Sequence, residues 1–207
     1  MFFKLLVALV EPGGPIKVTE TMKTLYREVR EGSKSIVRLK GPPGVGKTTS
    51  LYWLYQQLKH DSSVSVMVVP FNASCEAEED DVIARLCDVS KLVVLMDVVS
   101  PSDEPQAFKN FTKVFIRKNV KCVLALSSSF SVFKSLQATH TSAWSKFLSR
   151  AKTIIFKPWD DTLSSNFLRS EMKVTRGVDD LVKACKGIPA LLCIYDDKRA
   201  MSCVIQI

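Results

Sequence analysis

Residues Gly41-Pro42-Pro43-Gly44-Val45-Gly46-Lys47-Thr48 constrain this chain more than any other segment. They fit G-x-x-x-x-G-K-[ST], a loop whose backbone N–H groups cradle a phosphate chain. The flanks strengthen the match. Ser35-Ile36-Val37-Arg38-Leu39 reads as a short strand entering the loop, and Thr49 through Lys59 as a helix leaving it. Such a strand–loop–helix turns successive N–H groups and the positive helix end toward an anion. Gly41, Gly44 and Gly46 allow backbone angles and close approaches that a side chain would forbid. A turn matching by chance would not need both flanks. In the segment Gly41–Thr49, Lys47 is placed to neutralise phosphate charge and the Thr48 hydroxyl to ligate Mg²⁺.

The rest of the chain alternates strand and helix patterns. Pro12-Gly13-Gly14-Pro15 breaks the chain, and a helix follows with Met22, Leu25, Tyr26 and Val29 on one face, Thr19 as its cap and Gly32 as its end. Val64–Val69 forms a β-branched run closed by Pro70, and the acidic stretch from Glu76 to Asp81 opens a short helix over Val82, Ile83 and Leu86. Lys91–Asp97 is an apolar strand ending in a carboxylate. A helix with Phe108, Phe111 and Phe115 along one side is best read as core packing. Lys121–Leu126 and Thr153–Phe156 complete five strands, with short helical pieces at Phe130–Leu136 and Trp144–Phe147 between them. The architecture expected is α/β, a mostly parallel five-stranded sheet covered on both faces. From Trp159 onward the pattern is helical (Leu163, Phe167, Leu168; Val178, Leu181, Val182, Cys185), which suggests a small C-terminal lid. The expected organisation is an N-terminal apolar segment (1–16), a core (17–158) and a helical lid, truncated or whole (159–207).

A chain of 207 residues supports one full core. Its 29 basic and 21 acidic residues give a net charge of +8 without any long block of one sign, so anionic partners are compatible but nucleic acid is not specifically indicated. Six cysteines contain no C-x-x-C pair and only His60 and His140 offer imidazole, which argues against zinc and for reduced thiols in an intracellular setting, cytoplasmic or nuclear. The apolar start, Met1–Val10, lacks a clear cleavage site and is too short to span a bilayer; it reads as a buried strand or the edge of a larger protein. Asn72-Ala73-Ser74 and Asn110-Phe111-Thr112 match the glycosylation pattern by chance on this reading.

In parallel sheets, ligands bind at the carboxyl ends of the strands. The loop, Asp97 and Ser127 all fall there. Asp97 is the candidate second metal-organising group, holding Mg²⁺ through water; the simpler alternative is an Asp that caps the next turn. Ser127 and Ser128 fit a γ-phosphate sensor and an ordinary Ser-rich loop equally well. Arg150 reads either as an arginine finger reaching across a subunit interface or, more simply, as a solvated arginine at a helix C-terminus. Val98 stands where a water-polarising Glu often follows the strand-end Asp, while Asp103 and Glu104 have turn chemistry as their ordinary explanation. Binding is therefore better supported than hydrolysis.

Together these residues resemble the P-loop NTPases of the AAA+/STAND assemblage, in particular the ATPase domain of Crinkler effectors and of the trypanosome retrotransposon-hot-spot proteins, over roughly residues 17–195. The loop, Lys91–Asp97 without a following Glu, Ser127–Phe130 with Phe133-Lys134, Ile155–Asp161 with its Pro158-Trp159 pair, and Gly187-Ile188-Pro189 carry the likeness. Ala190 departs from it, standing where such proteins often have Arg. The resemblance implies a three-layer sandwich with strand order 5-1-4-3-2, and ATP as the nucleotide.

The function expected is an ATP–Mg²⁺-binding switch or slow ATPase, working with a partner protein or as a homo-oligomer. A hydrolysis-deficient scaffold is the main alternative. A small-molecule kinase would need an acceptor base that is not evident, and Asp196-Asp197-Lys198 lacks the form of a guanine-reading motif.

Overall fold

The computed structural model describes residues 15–71, 91–98, 120–126 and 149–194. The expected helices between Glu76 and Leu86, along Phe108–Phe115, at Phe130–Leu136 and at Trp144–Phe147 lie outside them, as do Met1–Val10, Ser127, Ser128, Asp103 and Glu104.

Helix α1 (Glu20–Glu31) forms where the apolar spacing predicts it and buries Met22, Leu25 and Val29. The Thr19 hydroxyl accepts from the Met22 N–H at 3.3 Å. Glu20 in the first turn and Arg30 in the last complement the helix dipole. At the other end the Gly32 N–H donates to the Glu28 carbonyl at 3.0 Å. Lys121 adds a cap from another element, its Nζ donating to the carbonyls of Glu28 at 3.1 Å and Gly32 at 2.5 Å.

Strands β1 (Ile36–Lys40), β2 (Ser65–Phe71), β3 (Leu92–Val98), β4 (Lys121–Leu126) and β5 (Lys152–Ile155) build one sheet in the order β2-β3-β4-β1-β5. Every pairing is parallel. Reversed, the order reads 5-1-4-3-2, as the resemblance implied. Pro70 does not end β2: it lies within the strand, opposite Asp97, and pairing continues to Phe71 opposite Val98. The reason is position, because among the described strands β2 lies at the edge, where a residue without an N–H is tolerated.

Period-two alternation sends Val37, Leu39, Val93, Leu95, Val123 and Ala125 to one face, where they join α1 and the Leu51, Leu54 and Leu58 stripe of α2 (Lys47–Leu58) in a single core. The alternate residues Ile36, Val94, Met96, Cys122 and Leu124 are buried as well, as expected of a sheet covered on both faces.

The C-terminal helices α3 (Asp161–Ser170) and α4 (Val178–Cys185) have a separate apolar cluster: Phe167, Leu168, Val178, Leu181, Val182, Cys185 and Leu192. Trp159 packs edge-on against Phe167 with ring centroids 5.2 Å apart. Asp160 caps α3 by accepting from the Leu163 N–H at 2.7 Å. Within this unit the Trp159 N–H donates to the Gly187 carbonyl at 2.7 Å, and among the described residues the Ala190 N–H joins the unit to the loop by donating to the Gly44 carbonyl at 3.2 Å.

Candidate functional site

The loop after β1 closes over the carboxyl edge of the sheet. Val45, 3% exposed, anchors it in the main core, while Pro42, Pro43 and Gly44 face outward. Gly46 caps α2 with φ 92° and ψ 23°, a left-handed conformation that favours glycine, and it contributes no side-chain cap. The first turn of α2, Lys47, Thr48 and Thr49, thus presents N–H groups at the positive helix end. Gly44 also has a positive φ, and a Cβ there would lie 2.8 Å from Ile188 Cγ2 and 3.2 Å from Ala190 Cβ, so a larger residue would push the C-terminal helices off the loop.

Lys47 is buried at 7% exposure, an unusual state for a lysine. Its Nζ donates to the carbonyls of Gly41 at 2.8 Å and Pro42 at 2.7 Å, which keeps the ammonium within the curve of the loop. Burial pushes its pKa down, and the nearby Asp97 charge opposes that shift. Asp97 shows the mirror image. Burial raises its pKa, while a hydrogen bond from the Thr48 hydroxyl and the Lys47 charge pull it down.

Sheet register explains why these residues meet. Asp97 pairs with Ala125, and Ala125 pairs with Leu39, so Asp97 and the last turnward residues of β1 share one row across three strands. Gly41 follows two residues later. Asp97 thus stands beside the loop, near enough to Thr48 and Lys47 for both to lower its pKa.

A cleft of about 990 Å³ opens over this group. The loop, Thr48 and Asp97 form its polar floor, and Ile16, Val18, Leu163 and Ile194 supply apolar walls. The segment before α1 was not marked by any motif, and only its position in the fold reveals that it lines the cleft. Lys157 and Asp160 also line it. Among the described residues, no group of three or more His, Cys, Asp or Glu is arranged as a metal cage.

Of the remaining candidates, Ser127 lies outside the described residues, one position beyond the end of β4. Arg150 is exposed just before β5, at the amino edge of a parallel sheet, whereas the loop lies at the carboxyl edge. The structure brings together Lys47, Thr48 and Asp97 and leaves Arg150 apart from them.

No protein-family profile and no curated protein sequence matches the chain. Solved structures do. The Walker-type ATPase PABY2304 of Pyrococcus abyssi superposes with a TM-score of 0.61 at 14% identity, covering 88% of this chain and 67% of that one. AMPPCP-bound DnaA from Aquifex aeolicus gives 0.56 at 14% identity, covering 93% and 70%. The fold is that of a P-loop NTPase. Within this P-loop NTPase fold, the loop and the strand-end Asp97 occupy the edge where doubly wound sheets bind their ligands. No helix among the described residues is long and apolar enough to cross a membrane.

Proposed function

We propose that the chain is an ATP–Mg²⁺-binding module that works as a nucleotide-dependent switch and hydrolyses ATP slowly. The observation that carries this reading is the grouping of Lys47, Thr48 and Asp97 along one cleft, where Thr48 and Lys47 both lower the Asp97 pKa. The triphosphate would lie along Gly41–Thr49, against Lys47 and the start of α2. The base would enter the apolar part of the cleft beside Ile16, Val18, Leu163 and Ile194.

The residues fit Mg²⁺. Thr48 and Asp97 offer hard oxygen donors, and a cation beside Asp97 would offset the burial that raises its pKa. Mg²⁺ bound to a nucleotide takes one or two protein oxygens and fills its remaining positions with phosphate and water, so two donors suffice. When bound, the ion would neutralise charge on the β- and γ-phosphates. Lys47 would replace its two carbonyl contacts with phosphate oxygens, a stronger charge-assisted pairing.

Hydrolysis requires oriented water. Val98 supplies no carboxylate after Asp97, so turnover would depend on groups beyond these or on a neighbour. Arg150, at the amino edge of the sheet, would reach only another subunit's nucleotide, which makes any finger role an intermolecular one. The same Val98 favours a second reading, a scaffold that binds nucleotide without turnover. The likeness to the Crinkler and retrotransposon-hot-spot ATPase domains, of the AAA+/STAND kind, belongs to this proposal, as do an intracellular location, a protein partner and the role of α3 and α4 as a lid.

Nucleotide affinity and phosphate release, measured for the wild type, Lys47→Ala and Asp97→Asn, test it. Mg²⁺-dependent ATP binding that collapses in Lys47→Ala is the expected result. Binding without phosphate release, even at high protein concentration, would favour the scaffold. Unchanged ATP affinity in Lys47→Ala would reject both.

A further inference from the structure

Two walls of the cleft come from opposite ends of the sequence. Residues 15–22 form one, and Leu163, Phe167 and Met172 of the C-terminal unit contribute to the other. Lys17 joins them: its Nζ meets Glu171 Oε1 at 3.4 Å across a separation of 154 residues. Glu171 terminates α3, next to Met172, and its Oε1 also accepts from the Ser170 hydroxyl at 3.3 Å. The C-terminal helices have their own apolar cluster, distinct from the sheet core, so they can shift as a unit while their packing survives. At the inner side they are held by the Ala190 to Gly44 backbone bond, whose acceptor is part of the phosphate loop. The ion pair is the outer fastening.

We propose that Lys17 and Glu171 are a positioning pair that holds the two walls together and sets how fast nucleotide leaves the cleft. The inference rests on the cleft's being the nucleotide site. Neither side chain belongs to the phosphate loop or the Thr48–Asp97 group, so the pair acts on retention and not on phosphate chemistry. The side chains are 31% and 38% exposed, which keeps the pair within reach of solvent and salt. An exposed pair of this kind contributes at most ~1 kcal/mol, equivalent to a rate change of about 5-fold. That is small for stability and large enough to tune a switch.

The test is stopped-flow displacement of a fluorescent ATP analogue, bound with Mg²⁺, from the full chain. Lys17→Glu and Glu171→Lys should each raise the dissociation rate by about 2–5-fold and reverse the sign of the pair's contribution to its salt dependence. The double reversal, Lys17→Glu with Glu171→Lys, should restore both the rate and the salt dependence. General damage to the fold would not be repaired by the second reversal. Dissociation at the wild-type rate in both single variants, or a double variant no slower than the singles, would overturn the proposal while leaving the nucleotide site standing. A wild-type chain that does not bind the analogue would overturn the nucleotide reading and this inference with it.

Discussion

Asp97 at the end of β3 stands beside Thr48 in the first turn of α2, close enough for the Thr48 hydroxyl to pull the carboxyl pKa down. Two segments 49 positions apart in sequence are thereby brought to one point, because β1 and β3 flank β4 in register. That pull does not fully compensate for burial, which dominates and raises the Asp97 pKa. A site that holds a carboxylate at a net cost is suited to recovering that cost from a cation.

The sign of this cost gives the first prediction. With a folded-state pKa above the unfolded one, the stability linked to Asp97 is fully present below the unfolded pKa and is lost as pH rises through the folded pKa. At neutral pH the ionised side chain therefore destabilises the nucleotide-free chain. Asp97→Asn should melt higher than wild type at pH 7, by about 2–4 °C for each kcal/mol relieved, with the gap closing toward pH 4. The same variant should lose the added stability that Mg²⁺–ATP confers. Melting curves between pH 4 and 8 decide it. A lower Asp97→Asn melting point at pH 7 would contradict the burial argument.

Lys121 supports the second. Its ammonium serves two carbonyls at the end of α1 while burial lowers its pKa. Lys121→Met keeps the aliphatic stem and removes the donor, so it should cost about 1–2 kcal/mol. A melting point lower by about 2–8 °C is expected, and no change would mean that water replaces the cap without loss.

How much of this was legible in the sequence follows the range of the interactions. The loop, the Thr19 cap, the Gly32 end and the core faces of α1 and β1 are local, and each was readable from spacing. Asp97 was readable because an apolar strand ending in a carboxylate is itself a pattern; its place beside Thr48 was not. Pro70 misled at short range, since sequence does not reveal that β2 lies at the edge among the described strands. The Lys121 cap, the Trp159–Gly187 and Ala190–Gly44 bonds and the Lys17–Glu171 pair join distant segments, with no periodicity to announce them. The cleft wall at residues 15–22 was hidden for the same reason: nothing in Ile16 or Val18 distinguishes a cleft lining from ordinary packing.

The third prediction concerns α3. The Asp160 carboxylate accepts from the Leu163 N–H and so starts the helix beside the cleft. Asp160→Ala should cost about 1 kcal/mol, expressed first in the C-terminal unit because that unit has its own core. Amide hydrogen exchange should quicken over 161–170 more than over α2. Equal changes in both would show that the two cores unfold together.

Calorimetric titration of ATP into the chain, with and without Mg²⁺, tests nucleotide binding most directly. Wild-type protein should bind ATP in the presence of Mg²⁺. Lys47→Ala should bind about 10–100-fold more weakly, the loss expected for a charge-assisted contact of about 1.5–3 kcal/mol. Equal affinities in wild type and Lys47→Ala, or no binding by the wild type, would contradict the assignment of this loop as a nucleotide site.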